Sequence, residues 1–170
     1  MKNFITLLFL LFSIGVMAQK IPRPQVGTKI GLPRGFFKGG TIFIKDQKYY
    51  SDDQRYFIQM QSDGNLVLYK VIGASKFKAL WNTHTNGKAI KKCVFQEDGN
   101  LVLYDYTGKA QWDAFSDQYN KDYKGISKYF PKGDKFYTRE RVLVLQSDGN
   151  LVIYAGGGTV MWHAGTYERN

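Results

Sequence analysis

The sequence predicts an all-β domain, and three observations lead to that prediction. A nonapeptide of the form Gln-x-Asp-Gly-Asn-Leu-Val-[Leu/Ile]-Tyr occurs three times along the chain. From Thr41 onward, short runs of Val, Ile, Leu, Tyr and Phe are interrupted by Gly, Asn or Asp every eight to twelve residues, which is typical of short antiparallel strands. No stretch has a convincing apolar period of ~3.6 residues, so amphipathic helices are not expected.

The first 18 residues have the features of a secretory signal peptide. A short basic start precedes a mostly Leu, Phe and Ile stretch at residues 4–16, and small residues then favour cleavage between Ala18 and Gln19. An uncleaved membrane anchor is the alternative, but the apolar run is shorter than the ~20 residues that a spanning helix needs. We therefore expect a secreted or extracytoplasmic protein with no membrane span after signal removal.

The chain is strongly basic. Lys and Arg outnumber Asp and Glu by 24 to 14, and removal of the signal takes away only Lys2, which leaves 23 against 14, or +9. Such an excess favours acidic partners, an anionic cell-surface polysaccharide among them. The lysines are scattered and do not form a helix face or an arm, so specific nucleic-acid recognition is not predicted.

The chain contains one cysteine, Cys93, so it cannot form an intramolecular disulfide. Cys93 lies three residues before Gln96, and the matching positions of the other two repeats hold Ile58 and Leu143. Free cysteines are among the most frequently buried residues. We therefore predict a small buried apolar residue at this position in preference to a reactive thiol.

The segments around the repeats are less regular. Residues 19–35 are rich in Pro and Gly and are predicted to be an irregular lead-in, which places the domain at residues 36–170. The first two repeats start 35 residues apart and the last two 50, which indicates an inserted loop at about residues 113–135. Residues 132–137 echo residues 45–50. Either the opening strand is used a second time, or the similarity is chance in a Lys- and Tyr-rich chain.

Each repeat is predicted to form a β-hairpin that turns at its Asp-Gly pair. In the first repeat, Leu66 and Leu68 share one face of a strand, while Asn65, Val67 and Tyr69 share the other. We expect the Leu, Ile and Met face to point inward. The Gln, Asp, Asn, Val and Tyr side chains would then gather on the outward face.

These outward residues suit a sugar-binding site. Turn chemistry alone accounts for Asp-Gly-Asn, but it requires no particular residue at the Gln and Tyr positions, which are unchanged in all three copies. A carboxylate, two amides and a phenol supply acceptors and donors for sugar hydroxyls, and Val offers an apolar contact. Each hydrogen bond contributes only ~0.5–1.5 kcal/mol net, so one shallow site should bind near ~1 mM. Three sites on one rigid body would raise the avidity for a crowded glycan.

The pattern Gln-x-Asp-x-Asn-x-Val-x-Tyr resembles the signature of the bulb-type mannose-binding lectins, and its three copies span most of the mature chain. The resemblance implies a β-prism II fold: three antiparallel four-stranded sheets about a pseudo-threefold axis, with Trp81, Trp112 and Trp162 packed at the centre. It implies mannose-type glycans as partners and no cofactor or metal. Family members often dimerise by exchanging C-terminal strands. Residues 161–170 could do so here, but nothing in them requires a homodimer.

The resemblance also gives each motif residue a role. In the first copy, Asp63 and Asn65 would bind the axial 2-hydroxyl of mannose, Gln61 the 3-hydroxyl and Tyr69 the 4-hydroxyl, while Val67 would contact the ring carbons. The other two sites would use the same residue types. Those residues are Gln96, Asp98, Asn100, Val102 and Tyr104, and Gln146, Asp148, Asn150, Val152 and Tyr154. Unlike the plant lectins, this chain has no disulfide pair, carries an insert and is unusually basic.

Other functions fit less well. Each repeat has a single carboxylate, so an enzyme with a paired acid and base is not predicted. His84 and His163 have no metal-ligand spacing and are predicted to be sheet-surface residues, and the Asp-Gly-Asn turn lacks the further ligands of an EF-hand. A lectin-like antibacterial toxin or competition factor is the main alternative, although that group usually has tandem lectin domains. A surface-structural protein with inactive sites is a third, which the three intact motifs oppose.

Overall fold

Each repeat folds into an antiparallel hairpin whose turn is closed by the same backbone contacts. A computed structural model describes residues 33–116, 140–156 and 158–168. In the first repeat the amide of Gln61 donates to the carbonyl of Asn65 (2.8 Å), and the amide of Gly64 donates to the carbonyl of Gln61 (3.0 Å). Gly64 has a φ of +92°, as expected for the glycine that ends a three-residue hairpin loop. The predicted Asp-Gly turn is therefore present.

The described part of the chain forms three antiparallel four-stranded sheets, so the predicted all-β architecture is confirmed. The strands are β1 (Phe36–Lys38), β2 (Thr41–Phe43), β3 (Lys48–Tyr50), β4 (Tyr56–Met60), β5 (Leu66–Gly73), β6 (Lys76–Asn82), β7 (Ile90–Phe95), β8 (Leu101–Asp105), β9 (Ala110–Asp113), β10 (Arg141–Leu145), β11 (Leu151–Ala155) and β12 (Thr159–His163). A short 3₁₀ turn, Ala114–Ser116, follows β9. None of the described residues form a helix long and apolar enough to cross a membrane.

The first, second and third sheets contain the first, second and third repeats, respectively. The first sheet has the order β3-β4-β5-β6, the second β2-β7-β8-β9 and the third β1-β10-β11-β12. The outer strands β1, β2 and β3 follow one another in sequence, yet each belongs to a different sheet. The segment from β1 to β3 therefore ties the three sheets together.

The outer position beside β10 is occupied by β1, with Phe36 opposite Val144. The possible second use of an opening strand at residues 132–137 stays a prediction. Residues 132–137 lie outside the described residues, and so do the signal peptide, most of the lead-in and residues 117–135 of the predicted insert.

The inward faces of the hairpins form the core, as the alternation of residues predicts. Leu66 and Leu68 are fully buried in the first sheet, and Cys93 is fully buried in the second. Burial raises the pKa of the Cys93 thiol, so this group stays protonated at neutral pH. The equivalents of the two leucines in the other sheets are equally buried: Leu101, Leu103, Leu151 and Ile153.

Three tryptophans join the sheets at the centre. The ring centroids of Trp81, Trp112 and Trp162 lie 5.5–6.0 Å apart, and the rings meet edge to face at 68–79°. This is the favourable arrangement for aromatic rings, because a ring edge is electropositive and a ring face electronegative. The central tryptophan cluster implied by the family resemblance is therefore present.

The motif turn of each repeat packs against the next sheet. A Cβ atom added to Gly64 would lie 2.4 Å from the carbonyl oxygen of Lys88, just before β7 of the second sheet. Glycine is required at this turn both by its positive φ and by this close approach. The same relation links Gly99 to Arg141 of the third sheet and Gly149 to Tyr56 of the first. The three contacts close a ring around the molecule.

Candidate functional site

The first sheet brings all five motif residues of its repeat to one end of its outer face. Asp63 is exposed at the turn, and Gln61 and Tyr69 are half-buried beside it. Asn65 and Val67 lie deeper and are buried. The second and third sheets repeat this arrangement, with Asn100 somewhat more exposed than its counterparts.

A hydrogen bond joins the Gln and the Tyr of each motif. The side-chain amide Nε2 donates to the phenol oxygen at 2.9 Å in Gln61–Tyr69, 2.9 Å in Gln96–Tyr104 and 2.8 Å in Gln146–Tyr154. Turn geometry requires neither of these two residues, and this bond gives a structural reason for both to stay unchanged. In the first two motifs it also leaves the amide oxygen of the glutamine as an acceptor and the phenol proton as a donor for a ligand.

The same bond explains why the motif valines are less accessible than expected. Val67, Val102 and Val152 are only 2–4 % exposed, although the strand pattern places them on the outward face. Each valine lies on a strand with a neighbour on both sides. In the first sheet the Tyr69 side chain must also reach along the strand past Val67 to meet Gln61. The valines therefore form a mostly covered floor.

Each motif carboxylate uses one oxygen to hold its own turn. Oδ1 of Asp63 accepts a hydrogen bond from the backbone amide of Asn65 at 2.9 Å, and Asp98 and Asp148 make the equivalent bond at the same distance. Within the described ranges the protein offers no donor to Oδ2 of these residues. One carboxylate oxygen per site is thus structural, and the other faces solvent at an exposed position.

The motif asparagines form hydrogen bonds with residues that follow the three tryptophans in sequence. Oδ1 of Asn65 accepts from the hydroxyl of Thr83 (3.0 Å) and the amide of Thr85 (3.2 Å). Oδ1 of Asn150 accepts from two backbone amides in the same way, at 3.1 and 3.3 Å. Nδ2 of Asn100 donates to Asp113 at 3.1 Å. These side chains therefore do more for the fold than the sequence suggested.

The residue after each tryptophan is a site residue that sequence reasoning missed. Asn82, Asp113 and His163 lie directly opposite the motif valines in the strand pairing. Asn82 and Asp113 also accept hydrogen bonds from the motif asparagines, at 3.3 and 3.1 Å. The sequence signal that could have identified these residues is their constant position directly after a tryptophan. Since they offer an amide, a carboxylate and an imidazole, the three sites are not chemically equal.

The residue opposite the motif tyrosine on the neighbouring strand also differs among the three sheets. Phe57 stacks on Tyr69 with ring centroids 5.0 Å apart, whereas the Lys92 ammonium lies 5.1 Å from the centroid of Tyr104. In the third sheet Val142 is opposite Tyr154. The first site therefore has an aromatic wall, the second a cationic one and the third an aliphatic one.

A polar cluster fixes the turn of the third site to the first sheet. Glu168 accepts hydrogen bonds from the Lys70 ammonium (2.6 Å) and the Tyr56 hydroxyl (2.9 Å), and its backbone amide donates to the carbonyl of Asp148 (2.9 Å). Lys70 first, and then Tyr56, hold the pKa of Glu168 below its usual range. Burial, followed by the bond to Glu168, raises the pKa of Tyr56 to about 12.

Comparison with known proteins finds that this chain is similar in structure to lectins. No protein-family model and no curated protein sequence matches it. A lectin of Marasmius oreades is 27 % identical, with a TM-score of 0.57 over 78 % of this chain and 92 % of that one. A monomeric monocot mannose-binding lectin from Gastrodia elata is also 27 % identical, with a TM-score of 0.57 over 79 % and 99 %. The predicted β-prism II fold and the resemblance to the bulb-type lectins are confirmed at the level of structure.

Proposed function

We propose that this protein binds mannose or mannose-containing glycans through three metal-independent sites, one on the outer face of each sheet. The observation that carries the proposal is the triple recurrence of one constellation. In each sheet the Gln–Tyr hydrogen bond is 2.8–2.9 Å long and the Asp–Asn turn contact 2.9 Å. The Gastrodia elata protein of the same fold is a mannose-binding lectin.

The solvent-facing atoms of the first constellation suit a sugar with neighbouring hydroxyls. In the first site, Oδ2 of Asp63 and the amide oxygen of Gln61 can accept from hydroxyls, while the phenol of Tyr69 can donate. Val67 gives a small apolar floor for the ring. Each contact replaces one with water, so the net gain per hydrogen bond is only ~0.5–1.5 kcal/mol. Binding to a single mannose is weak, and avidity comes from several sites acting together.

Export belongs to the same proposal. The predicted signal at residues 1–18 would deliver the mature chain, starting at Gln19, outside the cytoplasm, where glycans of other surfaces are accessible. Intact-mass measurement of the protein recovered from the culture medium of its source cells tests this. A mass that includes residues 1–18 would contradict it.

Calorimetric titration with methyl α-mannoside tests the proposed binding. We expect weak saturable binding at three sites that is unchanged by EDTA. Absence of binding at high ligand concentration would exclude the lectin function, and loss of binding on adding EDTA would exclude a metal-independent mechanism.

The site assignment has its own test in the triple variant Asp63→Asn, Asp98→Asn and Asp148→Asn. Asparagine keeps the Oδ1 atom that caps each turn and replaces the solvent-facing acceptor by an amide, so the fold should persist while mannoside binding is lost. Asp52→Asn, an exposed carboxylate outside the motifs, is the matched control and should bind normally. Unchanged affinity in the triple variant would show that the carboxylates do not contact the sugar.

A further inference from the structure

The second motif site has a cation directly beside its tyrosine. Lys92 lies opposite Tyr104 in the pairing of β7 with β8, and its ammonium is 5.1 Å from the centroid of the Tyr104 ring. An aromatic ring attracts a cation placed over its face, so this contact holds the ammonium close to the phenol. The equivalent positions hold Phe57 in the first sheet and Val142 in the third, so a charge at this position distinguishes the second site from the other two.

The Lys92 ammonium is available to a ligand. Lys92 is exposed and forms no ion pair with any other residue that the structure describes. The carboxylate of Asp105, the residue after Tyr104, is already engaged in its own turn. It accepts hydrogen bonds from the hydroxyl of Thr107 (2.7 Å) and from the side-chain amide of Gln111 (2.8 Å). Within the described ranges Lys92 thus has no carboxylate partner, so an anionic ligand can pair with its charge.

The carboxylates of the second site lie away from this ammonium. Asp98 is in the turn, at the other end of the motif from Tyr104. Asp113 lies opposite Val102 on β9, whereas Lys92 lies on β7, on the other side of β8. Two strand spacings and two residues along the strand separate the backbones of Asp113 and Lys92 by roughly 12 Å, which exceeds the Debye length of ~8 Å at physiological ionic strength. These two carboxylates therefore neutralise the cationic end of the site only weakly.

The position of the ammonium indicates which part of a bound mannose it would face. The phenol of Tyr104 accepts a hydrogen bond from Gln96 (2.9 Å) and is the group that the family resemblance assigns to the 4-hydroxyl. On the mannose ring the exocyclic 6-position is the neighbour of that hydroxyl, so a substituent there lies at the Lys92 end of the site. A lysine binds as a point charge and suits a phosphate, which carries about −1.5 to −2 charges near pH 7.

We propose that the second motif site selects mannose units that carry a phosphate at the 6-position, and that Lys92 is the residue that determines this specificity. The ammonium of Lys92 pairs with the phosphate, while Asp98, Gln96 and Tyr104 bind the sugar hydroxyls. The first and third sites have no charge at the equivalent position and take neutral mannose. This assignment rests on the proposed function, because the motif residues bind the sugar ring.

Calorimetric titration of a protein in which only the second site is active tests the proposal. Asp63→Asn and Asp148→Asn silence the other two sites, and the ligands are methyl α-mannoside and its 6-phosphate. We expect the phosphate to bind roughly threefold to fivefold more tightly at pH 7, which is the gain from one exposed ion pair. Lys92→Gln should reduce this preference to less than about 1.5-fold and change the affinity for methyl α-mannoside by less than about twofold. Lys78→Gln, which removes an exposed lysine from the first sheet, should keep the preference.

Salt gives an independent readout of the ion pair. Raising the NaCl concentration from about 0.02 M to about 0.5 M screens an exposed pair, so the preference for the phosphate should fall toward unity. The affinity for methyl α-mannoside, which carries no charge, should stay unchanged. A preference of the same size at both salt concentrations would overturn the pairing of Lys92 with the phosphate.

The remaining outcomes separate the phosphate specificity from the mannose function. Equal affinity of the parent protein for both ligands, or a preference that survives in Lys92→Gln, would overturn the phosphate specificity and leave mannose binding in place. A preference lost equally in Lys78→Gln would assign it to overall charge and would overturn it too. If methyl α-mannuronoside, with a carboxylate at the same carbon, binds as tightly as the phosphate, the site selects negative charge in general and the phosphate assignment fails. Failure of every ligand to bind would overturn the mannose function, and this inference with it.

Discussion

At the scale of single residues, most motif side chains have a role in the fold as well as in the proposed site. Oδ1 of Asp63 caps the turn while its other oxygen faces solvent, and Gln61 fixes Tyr69 while its amide oxygen remains available. Identity among the three copies is therefore partly explained by folding. The proposed binding in the first sheet depends on the atoms that remain after these contacts are made: Oδ2 of Asp63, the amide oxygen of Gln61 and the phenol proton of Tyr69.

Tyr69→Phe tests the phenol as a ligand contact. Asp98→Asn and Asp148→Asn are first introduced so that only the first site reports binding. Loss of one hydrogen-bonding group should then weaken methyl α-mannoside binding roughly threefold to tenfold. The free energy of unfolding should fall by less than ~1.5 kcal/mol, because the ring itself stays in place.

Tyr106→Phe is the control for this variant, because Tyr106 is 66 % exposed on the β8–β9 turn and belongs to no motif. It should bind like its parent in the same calorimetric titration. If Tyr69→Phe also binds like its parent, the phenol does not contact the sugar and only orders Gln61.

At the scale of elements, the sequence predicts the hairpins well because alternation and turn chemistry are local signals. It does not predict how β1, β2 and β3 are distributed over the sheets. These strands have three residues each, too few for alternation to show, and their partners are distant in sequence, as Phe36 opposite Val144 illustrates. The burial of Val67 and the placement of Asn82 beside the site also depend on neighbouring strands, which a single strand pattern does not contain.

Gly64→Ala tests the packing of a motif turn against the next sheet. Gly64 and Gly108 have similar φ values of +92° and +86°. A Cβ added to Gly64 would lie 2.4 Å from the carbonyl oxygen of Lys88, whereas a Cβ added to Gly108 would have no atom within 4 Å. Both alanines should cost ~1–2 kcal/mol for the left-handed backbone. Gly64→Ala should cost a further ~1–3 kcal/mol for the clash, since a backbone carbonyl cannot move aside alone.

Urea denaturation of the two glycine variants measures this difference. Gly64→Ala should also bind methyl α-mannoside at one site fewer, because Asp63 and Asn65 flank the altered residue. Gly108→Ala should keep every site. Equal free energies of unfolding for the two variants would mean that the turn is not tightly packed against the second sheet.

At the scale of the whole molecule, the three proposed sites lie on the outer faces of sheets that surround one tryptophan cluster. A single monosaccharide cannot reach more than one of them, so their combination matters for branched or densely spaced glycans. The sites also differ in their walls, with Phe57, Lys92 and Val142 at equivalent positions. The arrangement of the three sheets is therefore nearly threefold symmetric, whereas the residues around the three proposed sites differ.

Glu168 adds to the contacts that close the ring of sheets, because it joins the end of the described chain to both the turn of the third repeat and the first sheet. Its pKa is lowered by Lys70 and Tyr56, so the unfolded chain binds this proton more readily than the folded one. The resulting stability is present above the unfolded glutamate pKa of ~4.3 and is lost as the pH falls through the lower folded value.

Glu168→Gln should therefore melt at a lower temperature than the unchanged protein at pH 7, and the difference should shrink below about pH 4 as the native carboxylate protonates. Glu140→Gln removes an exposed glutamate just before β10 and should show no such pH-dependent difference. Thermal melting of the three proteins from pH 3 to pH 7 measures both effects. A constant difference across this range would mean that Glu168 stabilises the ring through packing and its neutral hydrogen bonds, and that its charge contributes nothing.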